Sequence, residues 1–146
     1  GLGIEMANSL VSYTAGVIEV EVDAKGRLRI IGVDIAIDCG PQVNPERIRS
    51  QLEGSVIMGL GLAMHGQVTF KGGSVEQSNF HDYVLPRHAE APREIRCHLA
   101  PSDHSVAPGG VGEPGLPPVA PALCNAIFAA TGTRIRRLPI GDQLSN

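Results

Sequence analysis

The sequence predicts an α+β fold in which antiparallel β-hairpins pack with two principal helices. Three observations carry this reading. Two β-rich runs flank turn residues at Asp23 to Gly26, and apolar residues recur at helical spacing between Pro45 and Met64. Glycine and proline are abundant, with 18 and 11 copies, while aromatic residues make up only 3%. A core short of aromatics has to be built from Val, Ile, Leu, Ala and Met, and frequent Gly and Pro imply many turns of special backbone geometry. At 146 residues the chain is long enough to bury a core, and no repeat or linker divides it.

The first hairpin joins Ser12–Val22 to Leu28–Asp38. Alternation places Val17 opposite Ile18, Val20 and Val22, and Asp23-Ala24-Lys25-Gly26 supplies the turn. Cys39-Gly40-Pro41 ends the second strand. Asn44 is a good N-cap, with Pro45 at the first helical position and Glu46 in the first turn. Ile48, Leu52, Val56, Leu60 and Met64 then mark one face of a helix over Pro45–Met64. Gly54, Gly59 and Gly61 inside it each cost on the order of 1 kcal/mol relative to Ala, so each is expected where another backbone or a ligand comes close.

A short hairpin is expected over Gln67–Phe70 and Ser74–Gln77, followed by an irregular stretch from Asn79 to Arg87. Arg93–Leu99 reads as a strand, and Pro101–Pro118 as a Gly/Pro-dense loop. A second helix runs over Val119–Ala130 and stops at Gly132, a suitable residue just past a helix end. Arg134–Leu138 is expected to close the fold as a solvated edge strand.

Charge and composition exclude several functions. The net charge is −3, and the one basic run, Arg134, Arg136 and Arg137, alternates with Ile135 and Leu138, so no nucleic-acid surface is expected. No apolar run is long enough for a membrane span. Cys39, Cys97 and Cys124 form no CxxC, and their odd count argues against a disulfide framework. The five histidines form no metal-ligand spacing with them, and Cys97 and His98, as strand neighbours, point to opposite faces. Cys124 reads as a small core residue within an apolar helix. Gly59-Leu60-Gly61 lacks the spacing of a dinucleotide loop and reads as close helix packing.

The most informative stretch is Ala107-Pro108-Gly109-Gly110-Val111-Gly112-Glu113-Pro114-Gly115. The glycines let backbone N–H groups face a ligand without Cβ interference. Pro114 biases Glu113 toward an extended backbone, and a carboxylate held in this way can serve as a general base. Spacing alone favours a Gly/Pro surface loop with an incidental Glu over a catalytic one.

Three separated segments change that reading: Asp38-Cys39-Gly40 with Asn44-Pro45, Gln51-Leu52-Glu53-Gly54 with Gly59-Leu60-Gly61, and Gly110-Val111-Gly112-Glu113-Pro114. With Asn79-Phe80-His81-Asp82-Tyr83, Asn125-Ala126-Ile127 and Ala130-Thr131-Gly132, their order resembles the carboxy-terminal, molybdenum-cofactor-binding part of the large subunit of xanthine-oxidase-type molybdenum hydroxylases. The resemblance spans about Asp34 to Ile140. Its finer detail, at Glu76–Phe80 and Ala107–Gly110, is most similar to the isoquinoline 1-oxidoreductase branch of that family.

The resemblance implies that residues 1–146 are one segment of a larger subunit and that Glu113 is the catalytic base. It would take a proton from a molybdenum-bound hydroxide or water that attacks an N-heterocycle or aldehyde carbon. Gln51 would hydrogen-bond the pterin, since an amide offers both donor and acceptor. Backbone groups of Gly110, Val111 and Gly112 would approach the metal's ligand sphere, and no side chain here is assigned as a metal ligand. The cofactor implied is molybdopterin in its cytosine dinucleotide form. Electrons would leave through iron–sulfur clusters on a small [2Fe-2S] partner subunit, and the rest of the large subunit would supply much of the pocket. Bacterial cytoplasm and periplasm are both compatible.

His81-Asp82-Tyr83 falls on the cofactor side by resemblance, with packing and a minor site role both open. His65-Gly66 replaces residues that are acidic in many relatives and is read as a subfamily feature without chemical consequence. The competing function class is a non-catalytic assembly module. Molybdenum content near one per subunit in the complete complex separates the two.

Overall fold

Every second side chain of the strand Ser12–Val22 is buried, from Ser12 and Thr14 through Gly16 to Ile18 and Val20. That strand is the centre of the molecule. In the computed structural model, which describes residues 1–145, it is β2, between β1 (Leu2–Ser9) and β3 (Leu28–Asp38). Both neighbours pair with it antiparallel, and β6 (Ile95–Leu99) adds to β3 in parallel, giving the order β1-β2-β3-β6. The parallel pair adds to the expected antiparallel hairpins. A chain leaving β3 through a helix returns to the same end of the sheet, which is the condition for parallel pairing.

The β2–β3 turn forms as expected. Asp23 accepts N–H bonds from Lys25 at 2.8 Å and Arg27 at 3.0 Å, and Gly26 takes a left-handed φ of 75°. The predicted first helix, α1 (Pro45–Met64), matches at both ends, and the Asn44 side chain accepts the Arg47 N–H at 3.1 Å. The second, α2 (Val119–Thr131), ends at left-handed Gly132. Both helices cover one face of the sheet. α2 lies over β1 and β2, and α1 lies over β6 and against α2. Ile18, Ile35, Ile37, Leu52, Leu60, Leu123 and Ile127 fill the space between and are fully buried.

The second hairpin shrinks to two-residue strands, β4 (Phe70–Lys71) and β5 (Ser74–Val75), because all four residues are exposed and bury nothing. A one-turn 3-10 helix (His88–Glu90) precedes β6, and the His65 ring on the end of α1 meets Glu90 at 2.6 Å. β1 was not anticipated. Its Gly3 lies against α2, where a Cβ would meet the Ala122 carbonyl at 2.1 Å. Its Leu2, Ile4 and Met6 point to the opposite, exposed face.

Residues 134–138 do not form the expected edge strand. Ile135 and Ile140 are drawn into the core instead, and the Arg134 guanidinium stacks 3.3 Å above the Phe128 ring. The tail gives its N–H groups to the end of α1, from Ile140 to Ala63 at 2.7 Å and from Gly141 to Met64 at 3.2 Å. The helical glycines also divide. A Cβ at Gly59 would strike Val119 and one at Gly61 would strike Pro86, as close packing predicts, but Gly54 has nothing within 4 Å.

Candidate functional site

The segment 107–115 has no regular secondary structure, yet its backbone is closely tied. Gly109 donates to the Cys39 carbonyl at 3.0 Å and Gly110 to the Leu10 carbonyl at 2.8 Å. Ser12 Oγ donates to Gly110 O at 2.6 Å, Ser55 Oγ to Gly112 O at 3.4 Å and Thr14 Oγ1 to Pro114 O at 2.7 Å. Every second carbonyl from residue 110 to residue 114 is thereby held by a hydroxyl. Pro114 is fully buried, and Gly115 fits against Ser55 and Leu52, where a Cβ would come within 2.9 and 3.1 Å. The Leu116 N–H closes a turn onto the Glu113 carbonyl at 3.0 Å, and α2 starts three residues later.

Two of the loop glycines are explained by these neighbours and not, as the sequence suggested, by ligand approach. A Cβ on Gly109 would sit 2.2 Å from Ser12 Oγ, and one on Gly110 would sit 2.7 Å from the Leu10 Cβ. Gly110 spends both its N–H and its C=O inside the protein. Gly112 faces differently, since its Cβ would lie 3.4 Å from the amide nitrogen of Gln51 on α1.

What remains on the outer side is a small, open polar surface. Glu113 is exposed and makes no ion pair among the described residues. The N–H groups of Val111, Gly112 and Glu113 have no protein acceptor among them either. Gln51 is exposed beside them, and one turn further along α1 the surface at Gly54 is empty and Met58 is 59% exposed. Consecutive unpaired N–H groups favour anionic or acceptor-rich ligands. The structure thus brings Gln51, Val111, Gly112 and Glu113 together and keeps Gly110 in the same loop with its amide committed.

Sequence reasoning passed over Ser12, Thr14 and Ser55. For two of them the signal was legible: Ser12 and Thr14 fall on the buried phase of the β2 alternation, where a polar residue is informative.

The other candidates lie elsewhere. Among the described residues no group of His, Cys, Asp and Glu could hold a metal ion. His98 and Arg96 both bond Asp34 on the outer sheet face, each at 2.8 Å, while Cys97 points the other way, to the Arg49 carbonyl. Burial pushes the thiols of Cys39, Cys97 and Cys124 above their ordinary range, so none is poised as a thiolate. Asp82 accepts from the Asn79 and Ser78 amides, which hold its carboxyl at about 2, so it braces its own turn. A cavity of about 460 Å³ is lined by Glu21, Asp23, Arg27, Met64 and Glu90 and includes no residue of the 107–115 loop. Its arginines already pair, Arg27 with Asp23 and Arg29 with Glu21.

Residues 3–92, more than half of the chain, match the family described as the molybdopterin cofactor-binding domain. The chain belongs to this family. Relatives extend the similarity across the Glu113 loop. The beta subunit of isoquinoline 1-oxidoreductase from Brevundimonas diminuta is 33% identical over 145 residues, which cover 99% of this chain and 18% of that protein. A nicotinate dehydrogenase subunit from Pseudomonas putida is 37% identical over 130 residues, or 88% of this chain and 11% of that protein. The chain thus spans less than a fifth of these relatives' length. Among solved structures, aldehyde oxidoreductase from Desulfovibrio gigas superposes with a TM-score of 0.76 at 28% identity, covering 90% of this chain and 15% of that one. Membership in the family agrees with the three-segment resemblance seen in the sequence. No helix among the described residues is long and apolar enough to cross a membrane.

Proposed function

We propose that residues 1–146 form the part of a molybdenum hydroxylase large subunit that presents a general base and a pterin-contacting amide to molybdopterin. The observation carrying this reading is the grouping of exposed Glu113, the unpaired N–H groups of Val111, Gly112 and Glu113, and the Gln51 amide on one open surface. Such a donor set fits an acceptor-rich pterin and its anionic substituents, and the bare helix surface at Gly54 leaves room for it. Gln51 would hydrogen-bond the pterin, and the Val111 and Gly112 amides would face the ligand sphere. Gly110 would shape the turn that carries them.

When bound, the molybdenum centre supplies Lewis acidity and a two-electron sink. The chain's own contribution is to take up the proton. The Glu113 carboxylate accepts it from the water-derived nucleophile as that oxygen attacks an electron-poor carbon of an N-heterocycle or aldehyde, and the proton ends on the Glu113 carboxyl. Burial of Pro114 next door keeps this carboxylate from swinging with its loop. The finer assignments rest on the resemblance read in the sequence: the cytosine dinucleotide form of the cofactor, a small [2Fe-2S] subunit receiving the electrons, and the rest of the large subunit closing the pocket. That remaining sequence would also cover the exposed Leu2, Ile4 and Met6 of β1.

The test is Glu113→Gln in the assembled enzyme. Turnover is expected to fall by about 10²- to 10⁴-fold, the usual contribution of a positioned base, at unchanged molybdenum and pterin content. Near-normal turnover would remove Glu113 from this role.

A further inference from the structure

We infer that Ser12, Thr14 and Ser55 are positioning residues for Glu113, three hydroxyls that fix the direction of its carboxylate by taking alternate carbonyls of its loop. The inference rests on the reading of Glu113 as base. It starts from a feature of the core. Among the described residues the buried polar side chains are Ser12, Thr14 and Ser55, at 0%, 2% and 7% exposure, and all three donate to the one loop. A hydroxyl taken out of water is costly unless it is bonded, and a core that needed only volume would carry Ala or Val in these places. The bonds also bridge distant parts of the chain. Ser12 and Thr14 belong to β2, Ser55 to α1, and the acceptors lie 98, 100 and 57 residues further on. The loop is gripped from the sheet and from the helix at once.

Backbone strain at the same place supports the assignment. The two residues joining β1 to β2, Leu10 and Val11, both have left-handed φ, 51° and 66°. Two-residue hairpin turns require such angles, yet Asn-Gly suits them, and a β-branched valine is a true outlier there. In this conformation the Leu10 carbonyl receives the Gly110 N–H at 2.8 Å, and the Leu10 side chain covers Gly110. A strained turn and three buried hydroxyls therefore converge on one segment, whose exposed carboxylate is Glu113. Strain kept next to a site and held by its surroundings is a recognised means of pre-organisation.

The test compares Thr14→Val, nearly isosteric but lacking the hydroxyl, with Thr14→Ser, which retains it, both in the complete enzyme. Thr14→Val should lower kcat by about 10- to 100-fold, the scale of a small misplacement of a reacting group, with KM and molybdenum content little changed. Amide hydrogen exchange should quicken at Gly109, Gly110 and Leu116, the hydrogen-bonded amides of the loop, while the β2–β3 pairs keep their protection, and Thr14→Ser should restore both readouts. Where Thr14→Val does not assemble, Ser55→Ala should show the same two changes at smaller size, because its bond is the longest of the three. Unchanged loop exchange overturns the inference, and so does quickened exchange with unaltered kcat beside an inactive Glu113→Gln enzyme. If Glu113→Gln itself retains turnover, the base assignment fails first and the positioning role falls with it. The exchange measurement then still reports whether the hydroxyls hold the loop.

Discussion

Gly59 in the middle of α1 faces Val119 at the start of α2 so closely that a Cβ on the glycine would lie 2.7 Å from the valine Cβ. The crossing of the two helices is set at this point, and the glycine's poor helix propensity is the cost of it. Gly59→Ala should therefore destabilise the chain by about 1–3 kcal/mol through overpacking, although alanine is the better helix former. Gly54→Ala, five residues earlier in the same helix, should raise stability by up to about 1 kcal/mol because nothing lies within 4 Å of the added methyl. Urea titrations of the two variants should move in opposite directions. In the assembled enzyme Gly54→Ala is expected to lower molybdenum content, since the open surface it narrows is the proposed cofactor side.

The turn between β1 and β2 permits a second stability prediction of unusual sign. Val11 is 76% exposed and has a φ of 66°, so its side chain packs little and its backbone is strained. An L-residue in the left-handed region gives up roughly 1–2 kcal/mol. Val11→Gly should release most of this and raise the denaturation midpoint, whereas glycine within a strand normally lowers it by about 0.5–1 kcal/mol. A lower midpoint for Val11→Gly would mean that the turn is not left-handed in solution.

Much of this fold could be read from the sequence wherever local rules and packing agree. Asn44-Pro45 starts α1 and Gly132 ends α2, because caps depend only on neighbouring residues. The β2–β3 hairpin was equally legible from its alternation and its Asp23–Gly26 turn. Residues 134–138 failed because alternation there, Arg against Ile, looks the same whether Ile135 enters a ladder or a core. In the structure Ile135 is buried in the core, and the following residues Ile140 and Gly141 are tied to the end of α1, a tertiary contact with no local signal. The site divides in the same way. Glu113 and Gln51 stood out through resemblance, whereas alternation could mark Ser12 and Thr14 as buried polar residues but not name their acceptors, which with that of Ser55 lie 57 to 100 residues away.

Acid sensitivity should come in part from the outer sheet face. Asp34 of β3 stands opposite Arg96 of β6, and hydrogen bonds from Arg96 and then His98 hold its carboxyl at about 2, below an ordinary 3.8. A carboxyl lowered on folding stabilises the protein at pH above its unfolded value and loses that contribution as pH falls through the folded one. Stability should thus decline between about pH 4 and pH 2 as this carboxylate takes up its proton. Asp34→Asn should make the decline shallower without abolishing it, because Asp82 is held equally low by the Asn79 and Ser78 amides. Urea midpoints measured across that window would show it, and an identical acid limb in the variant would exclude Asp34 as a contributor.

Gln51 offers a way to separate cofactor contact from stability. Its side chain is exposed and supports no hydrogen bond within the described residues, so Gln51→Ala should change the chain's unfolding free energy by no more than about 0.5 kcal/mol. The amide stands beside Gly112, however, in the row of unpaired N–H groups. Removing it should lower the pterin retained by the assembled enzyme after dialysis, and Gln51→Glu should lower it further. The carboxylate loses the donor and sets a negative charge against an anionic ligand. A protein packed around Gln51 for structural reasons would give the reverse result, with reduced stability and undiminished pterin. Equal pterin in all three enzymes would move the cofactor away from this face of α1.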